Sequence, residues 1–161
     1  MDNIKLYEVD PDYVTYMADF APHVFHNKQT GQSYERKFIG IVFSIRGIDY
    51  FAPLSSFKDK HIHMPETLDF LKIKRYAVIN LNNMFPVPEH CRNYVDIAKI
   101  SDSKYKSLLL AEYRIIKSMQ TKIRKNAAEI YKHRTENGEK TKLGKRCNDF
   151  ALLEEAYHKY Q

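Results

Sequence analysis

The chain has few of the residues that hold small domains together by covalent or metal crosslinks. Among 161 residues it has two cysteines, Cys91 and Cys147, and no tryptophan. Two cysteines without a CxxC pair argue against a zinc site or a disulfide framework, and they predict a reducing, cytoplasmic location. No apolar run approaches the ~18 residues of a membrane span. The N-terminus MDNIKLYEVD alternates and carries acids, so we expect no signal peptide.

Several common catalytic motifs are also absent. There is no P-loop, GxGxxG, HExxH or GxSxG pattern, and no cluster of carboxylates that would suit a metal-dependent nuclease. His61 and His63 could lie on one face, but no third ligand is near them in sequence. We therefore interpret them as two exposed loop histidines and predict neither a metal nor another cofactor.

Positive charge is concentrated in one segment. Residues 1–98 have a net charge of −1, residues 99–146 hold 14 Lys or Arg against 5 Asp or Glu, and residues 147–161 have a net charge of −2. The chain is 43% apolar and 29% charged, which predicts one globular domain over residues 1–161. An excess of one sign favours an anionic polymer, nucleic acid, as partner over a merely solvated helix face.

The order of elements predicts an α+β fold, with one strongly bent, mostly antiparallel sheet flanked by three or four helices. Strands are predicted over residues 4–9, 38–43, 48–53, 68–73, 76–81 and 85–87. Helices are predicted over residues 11–20 and 104–133 and from 148 or 149 to 157. Their N-caps would be Asp10, then Ser101 or Asp102, then Asn148 or Asp149. A loop is predicted over residues 135–146.

The long helix is predicted to be amphipathic. Its apolar stripe comprises Leu109, Ile116, Met119, Ile123, Ala127 and Ile130. The opposite face carries basic residues, which we expect to track the backbone of a folded RNA together with the basic loop that follows. The predicted RNA-binding residues of this region are Arg114, Lys117, Lys125, Lys132, Lys142, Lys145 and Arg146.

The stretch from Phe38 to His61 carries the strongest chemical signal. Its hairpin turns at Arg46-Gly47 and ends at Pro53-Leu54, where proline marks the end of regular pairing. Two hydroxyls, two ammonium groups and an imidazole follow at the exit of the hairpin, a set that suits phosphate. These residues are Ser55, Ser56, Lys58, Lys60 and His61.

RNA can be cut without a metal when its 2′-hydroxyl attacks the adjacent phosphate. This reaction needs a base, an acid and positive charge on the phosphate. Candidates for the charge and the proton transfer are Lys58, Lys37 and Arg36, with Ser55 and Ser56 as hydroxyl donors. Because strand alternation puts Arg36 and Lys37 on opposite faces, only one of them can share a cleft with Lys58, and the choice stays open. Serines at a strand exit are also common turn residues.

Aromatic residues near this stretch could stack on unpaired bases or donate a phenolic proton. The candidates are Tyr13, Tyr34, Tyr50 and Phe57. In a chain with 12 tyrosines the competing interpretation is packing.

Four motifs in order resemble the endoribonuclease toxins of type III toxin–antitoxin systems, the ToxN/AbiQ family. They are FIGIV with APLSS and KDKH, INLNNMFPVP, the long basic helix, and CNDFALLEEAY, and they span residues 7–157. The resemblance implies a MazF/Kid-like barrel core with added helices. By position it places the catalytic motif on Ser55, Ser56 and Lys58, a tyrosine on Tyr13, a basic residue on Arg36 or Lys37, and a loop tyrosine on Tyr34.

The resemblance also implies a function. Such toxins cut RNA without metal, leave 2′,3′-cyclic phosphate and 5′-hydroxyl ends, and act in abortive phage defence. A repeated pseudoknot RNA antitoxin, which they process, inhibits them and joins them in closed protein–RNA assemblies. We therefore predict a sequence-selective, metal-independent endoribonuclease toxin with cellular or phage RNA as substrate. The alternatives are a non-catalytic RNA-binding module and a MazF-like toxin neutralised by a protein.

Overall fold

The computed structural model describes residues 2–21 and 36–160. Seven strands in these residues form one sheet in which every pair is antiparallel. They are β1 (Lys5–Val9), β2 (Lys37–Ile45), β3 (Ile48–Ser56), β4 (Phe70–Ile73), β5 (Ala77–Asn80), β6 (Phe85–Pro86) and β7 (Arg92–Tyr94).

The sheet is open. Its strand order is β4-β5-β3-β2-β1-β7, and β6 pairs with β3 off this path. Within the described residues β4 and β7 are therefore edge strands that do not pair with each other, so the closed barrel core suggested by the resemblance is not formed. The predicted antiparallel α+β architecture is confirmed.

The β2–β3 hairpin is the longest pairing of the sheet and leads to the candidate site. Arg46 and Gly47 form its two-residue turn with φ values of 50° and 77°. Such left-handed turns match the twist of the flanking strands. Near the start of β2, a Cβ at Gly40 would overlap the Phe51 ring, so only glycine fits there. This close approach coincides with a register irregularity between Ile39 and Phe43.

The described chain has four helices of eight or more residues and one shorter helix. They are α1 (Pro11–Ala18), α2 (Ser103–Ser118), α3 (Gln120–Asn137), α4 (Lys142–Arg146) and α5 (Phe150–Lys159). The side chains of Asp10, Asp102 and Asp149 accept backbone N–H groups in the first turns of α1, α2 and α5, so these predicted N-caps are confirmed. Every one of these helices is too short or too polar to cross a membrane.

Two predictions about the C-terminal half are wrong. The single helix expected over residues 104–133 is divided at Met119, which has φ −102° and ψ 3°. The loop expected over residues 135–146 contains the end of α3 and all of α4. In addition, β7 was not predicted, and it extends the sheet by pairing with β1.

The sheet is covered on both faces. One cluster of buried side chains joins the sheet to α2 and α3, and it includes all of the predicted apolar stripe except Met119, which is partly buried. A second cluster joins the sheet to α1 and α5 through Phe38, Phe51 and Phe85. The end of β3 projects beyond these layers and becomes exposed at Ser56.

Candidate active site

The structure brings Arg36 and Ser55 together at the end of β3. Because Lys37 is the Cα partner of Leu54, the preceding residue Arg36 lies beside Ser55. Arg36 Nη1 donates a hydrogen bond to Ser55 Oγ over 2.9 Å, and the Arg36 side chain is 9% exposed. Burial lowers the pKa of Arg36, but a guanidinium starts so high that it stays charged. A fixed positive charge and a hydroxyl therefore meet here.

Lys37 lies on the opposite face of β2, as strand alternation predicts. Its Nζ is 2.7 Å from Glu8 Oε2 and 5.5 Å from the centre of the Tyr105 ring on α2. Burial alone would lower the pKa of Lys37, but hydrogen bonds to Glu8 and Tyr105 raise it above its ordinary value. A base needs the reverse shift, and in this structure Arg36 contacts Ser55 whereas Lys37 contacts Glu8. The sequence analysis did not identify Glu8 as the partner of Lys37. The available signal was that Glu8 lies in the first predicted strand, which could pair with β2.

Ser56 and Lys58 are exposed beyond the last pairs of β3. Ser55 and Ser56 are Cα partners of Val78 and Ala77 on β5, so alternation turns their side chains to opposite faces. Lys58 is extended and precedes a 3-10 turn over Asp59–His61. The exit of β3 thus presents one hydroxyl beside Arg36, another toward solvent, and an accessible ammonium group two residues farther on.

His61 holds this turn against the sheet. Its Nδ1 accepts the backbone N–H of Lys58 over 2.9 Å. Its ring lies 5.5 Å from the rings of both Phe57 and Phe70 and is 7% exposed. Burial, followed by the positive charges of Lys60, Lys58 and Lys72, lowers the pKa of His61 and favours the neutral ring that this bond requires. The expectation that His61 is exposed is therefore wrong, and its buried ring does not present a surface for RNA; Lys60 beside it is exposed.

Tyr13 is fully buried at the interface of α1 with the sheet. Its hydroxyl donates to the carbonyl of Pro86 over 2.5 Å, and its ring packs against Phe85 and Tyr160. Burial raises the pKa of Tyr13 well above its ordinary value. Tyr13 therefore packs between α1 and the sheet, and its catalytic role stays a prediction. Tyr50 is equally buried, and its hydroxyl donates to Glu154 rather than to a base or phosphate. Tyr34 lies outside the described residues.

Most of the predicted basic residues are accessible. All seven residues predicted on and after the long helix are exposed, and six of them, Arg114, Lys117, Lys125, Lys132, Lys142 and Lys145, are called the basic surface. Arg146 differs, because its Nε and Nη2 donate to the carboxylate of Asp69 over 2.7 and 2.8 Å. Asp69 is 3% exposed, so this pair ties α4 to the start of β4.

Across residues 2–21 and 36–160, no group of three or more His, Cys, Asp or Glu could hold a metal ion.

Comparison with known sequences identifies the family. Residues 5–158 match the toxin ToxN family of type III toxin–antitoxin systems. One relative, Endoribonuclease ToxN of Bacillus thuringiensis subsp. kurstaki, is 32% identical over 99% of this chain and 86% of its own length. Endoribonuclease ToxN of Pectobacterium atrosepticum is 28% identical over 98% of this chain and 94% of its own length. The chain therefore belongs to the ToxN toxin family of type III toxin–antitoxin systems. It is accordingly an endoribonuclease toxin.

Solved structures share the fold. A chain from a bacterial antiviral system regulated by a processed non-coding RNA has a TM-score of 0.84 and 25% identity, covering 97% of this chain and 98% of that chain. A type III toxin that is selectively inhibited by a non-coding RNA pseudoknot also has a TM-score of 0.84, at 28% identity and 99% and 98% coverage. AbiQ, a lactococcal anti-phage endoribonuclease, shows the same fold with a TM-score of 0.80 at 21% identity, covering 98% and 97%.

Proposed function

We propose that this toxin cuts RNA without a metal at the corner formed by Arg36, Ser55, Ser56 and Lys58. The observation that carries the proposal is the bond between Arg36 Nη1 and Ser55 Oγ at the strand exit that presents Ser56 and Lys58. A guanidinium and hydroxyls recognise phosphate oxygens, and the exposed ammonium supplies a group that can exchange protons.

The reaction needs only RNA and these side chains. A base removes the proton of the 2′-hydroxyl, the 2′-oxygen bonds to the adjacent phosphorus, and the bond from phosphorus to the 5′-oxygen breaks. The 5′-oxygen takes a proton, which leaves a 2′,3′-cyclic phosphate and a 5′-hydroxyl. Arg36 stabilises the charge that develops on the phosphate oxygens, because its guanidinium does not titrate. Lys58 is then the titratable group placed for proton transfer.

We further propose that a folded, repeated RNA antitoxin inhibits the toxin, which processes it and joins it in a closed protein–RNA assembly. The similar chains noted above are regulated by a processed non-coding RNA or inhibited by an RNA pseudoknot. The basic surface supports such a partner. Its helices α2 and α3 have 16 and 18 residues, which correspond to ~24 and ~27 Å of helix. In a reducing cytoplasm, as the two free cysteines suit, cellular or phage RNA would be the substrate and phage defence the role.

End-group analysis tests the cleavage chemistry. Purified toxin should cut a transcript in excess chelator and leave 2′,3′-cyclic phosphate ends. Ser56→Ala and Lys58→Ala should each remove cleavage without changing the unfolding midpoint, because both side chains are exposed. Lys99→Ala, at an exposed lysine outside this corner, is the control and should remain active. Cleavage that stops in chelator and returns with magnesium would contradict the proposal, and RNA binding without any cleavage would indicate a non-catalytic module.

Salt dependence tests the antitoxin surface. Reversing the charges of Arg114 and Lys125 together should weaken antitoxin binding and flatten its dependence on salt, since contacts to phosphates release counterions. Cleavage of a short substrate RNA should stay near normal, because both residues lie on α2 and α3 rather than on β3 or the turn that follows it. Unchanged antitoxin binding by the double variant at physiological salt would mean that this surface is merely solvated.

A further inference from the structure

The turn between β4 and β5 lies directly beside the candidate active site. Ser56 is the Cα partner of Ala77, and the backbone N–H of Phe57 donates to the carbonyl of Tyr76 over 3.3 Å. The N–H of Tyr76 in turn donates to the carbonyl of Ile73 over 3.0 Å. Both backbone groups of Tyr76 are thus bonded, which fixes its position relative to the end of β3.

The side chain of Tyr76 is unusually accessible for an aromatic residue. It is 42% exposed, and sequence reasoning passed over it. Tyr76 is the last residue of the turn before β5, and it lies opposite Phe57, whose N–H its carbonyl accepts. Val78, the Cα partner of Ser55, follows two residues later, so Tyr76 is ~7 Å along the chain from the level of Ser55 and its partner Arg36. Of the seven exposed large hydrophobic residues in the described chain, three belong to the two loops at this corner: Ile62, Met64 and Tyr76.

Positive charge surrounds this tyrosine. Lys74 and Arg75 precede it in the turn and are exposed. Lys58 and Lys60 lie in the neighbouring loop that follows β3. The acidic residues of that loop and of the start of β4 are Asp59, Glu66 and Asp69; Lys122 pairs with Glu66 over 3.6 Å, and Arg146 binds Asp69. An exposed ring flanked by cations is the combination that binds single-stranded nucleic acid.

We propose that Tyr76, with Lys74 and Arg75, forms a binding site for the single-stranded RNA substrate next to the scissile phosphate. This inference rests on the proposed cleavage site at Arg36 and Ser55. A phosphate held there leaves the neighbouring nucleotide over the β4–β5 turn, where its base stacks on Tyr76. Lys74 and Arg75 contact the phosphates that follow. Stacking needs a single strand, so the site selects unpaired RNA.

Binding to a strand that cannot be cut tests this site separately from catalysis. A short fluorescein-labelled all-2′-deoxy oligonucleotide lacks the attacking hydroxyl, so its anisotropy reports affinity alone. Tyr76→Ala should weaken its binding about 5- to 100-fold, and the same loss should appear in the KM for cutting a transcript, with kcat little changed. Tyr76→Phe keeps the ring and should bind like the parent.

The matched control is Tyr94 on the far edge strand β7, which is 59% exposed and sits beside Lys5. Tyr94→Ala should leave affinity unchanged. Equal affinity of Tyr76→Ala and the parent, or an equal loss in Tyr94→Ala, would overturn the proposal. Parent toxin that binds the deoxy strand through Tyr76 but fails to cut RNA in chelator would instead contradict the proposed reaction and leave the binding site standing.

The two cations are tested through salt dependence. Lys74 has φ 49°, so Lys74→Asn keeps a residue that tolerates this conformation while removing the charge. Together with Arg75→Gln it should reduce the slope of log affinity against log salt by about 1.4, or ~0.7 per phosphate contact on a single strand. The control pair Lys99→Gln with Lys104→Gln removes two exposed charges elsewhere. An equal change of slope in both pairs would refute the assignment.

Discussion

Acid should loosen the turn that carries Lys58, because the turn depends on a neutral histidine. His61 Nδ1 accepts the Lys58 N–H only when that nitrogen carries no proton. Burial and the charges of Lys60, Lys58 and Lys72 lower the pKa of His61 in the folded state. The unfolded chain therefore binds a proton more readily than the folded one. The stability that this ring contributes is present above the unfolded pKa of ~6.5 and is lost as the pH falls toward the folded value.

The size of the effect follows from the contacts. The Lys58 bond contributes about 1 kcal/mol, and the two ring contacts to Phe57 and Phe70 contribute about 0.5–1.5 kcal/mol each. His61→Ala should thus cost about 2–4 kcal/mol, most of it in local order of the turn. His61→Asn keeps an acceptor near the position of Nδ1 but does not titrate, so it should lose the ring contacts and keep the bond at any pH.

The assay is single-turnover cleavage of a transcript from pH 5 to 8, alongside urea unfolding at the same pH values. The parent should lose activity on the acid side in step with the loss of stability. His61→Asn should be slower than the parent near pH 8 but lose no further activity from this cause on acidification. His63→Asn, at an exposed histidine two residues away, is the control and should behave like the parent. If the activity of His61→Asn falls below pH ~6.5 as steeply as that of the parent, the reasoning is refuted.

Three further outcomes are expected. Arg36→Ala should lower the cleavage rate about 10²- to 10³-fold, with partial recovery in Arg36→Lys, measured in single turnover. Lys37→Met combined with Glu8→Gln, which avoids an unpaired carboxylate, should leave that rate nearly unchanged, and a loss as large as that of Arg36→Ala would mean that Lys37 is the catalytic residue. The pKa of Asp69, which burial would raise, is held below its ordinary value by Arg146, so stability is present above pH ~3.9 and lost as the pH falls further. In urea unfolding at acid pH, the free energy of unfolding of Asp69→Asn should not show this loss. If it falls with pH as that of the parent does, the prediction is wrong.

Elements marked by short-range signals were predicted well. Asp10, Asp102 and Asp149 start helices because a carboxylate that accepts N–H groups two or three residues ahead needs no distant partner. The Arg46-Gly47 turn is equally local, and the family resemblance, carried by motifs along most of the chain, is confirmed.

Elements that depend on distant contacts were not predicted. Met119 interrupts the long helix where Gln120 Oε1 accepts the N–H of Ile4 and Gln120 Nε2 donates to Asn3. Neither proline nor glycine marks that helix break in the sequence. The polar strand β7 exists because β1 offers it an edge and Arg92 binds Asp49, contacts that lie far apart in sequence.

Helix α4, by contrast, has readable signals. Gly138 with φ 58° ends α3, and the Thr141 hydroxyl accepts the N–H of Gly144. These signals were missed because the lysine-rich composition of residues 139–146 was interpreted as that of a loop.

The site was predicted in its composition but not in its geometry. Alternation separates Arg36 from Lys37, yet nothing local says which of them meets Ser55. That choice depends on the register of the hairpin, which shifts between Ile39 and Phe43 and pairs Lys37 with Leu54. Glu8 and Tyr105 then bind Lys37 from β1 and α2. The burial of Tyr13 likewise follows from its contact with Pro86, 73 residues away.

The central hairpin also constrains when this toxin completes its fold during synthesis. Arg46 and Tyr50 bind Glu154 on the last helix, and β1 completes its pairing only with β7. A ribosome must therefore have translated nearly the whole chain before these contacts close around the β2–β3 hairpin. Pairings over such sequence separations form late, because the entropy of closing the loop is lost before the contacts form. Chains that still lack α5 therefore lack the contacts of Arg46 and Tyr50 with Glu154, and the hairpin is fully packed only near the end of synthesis.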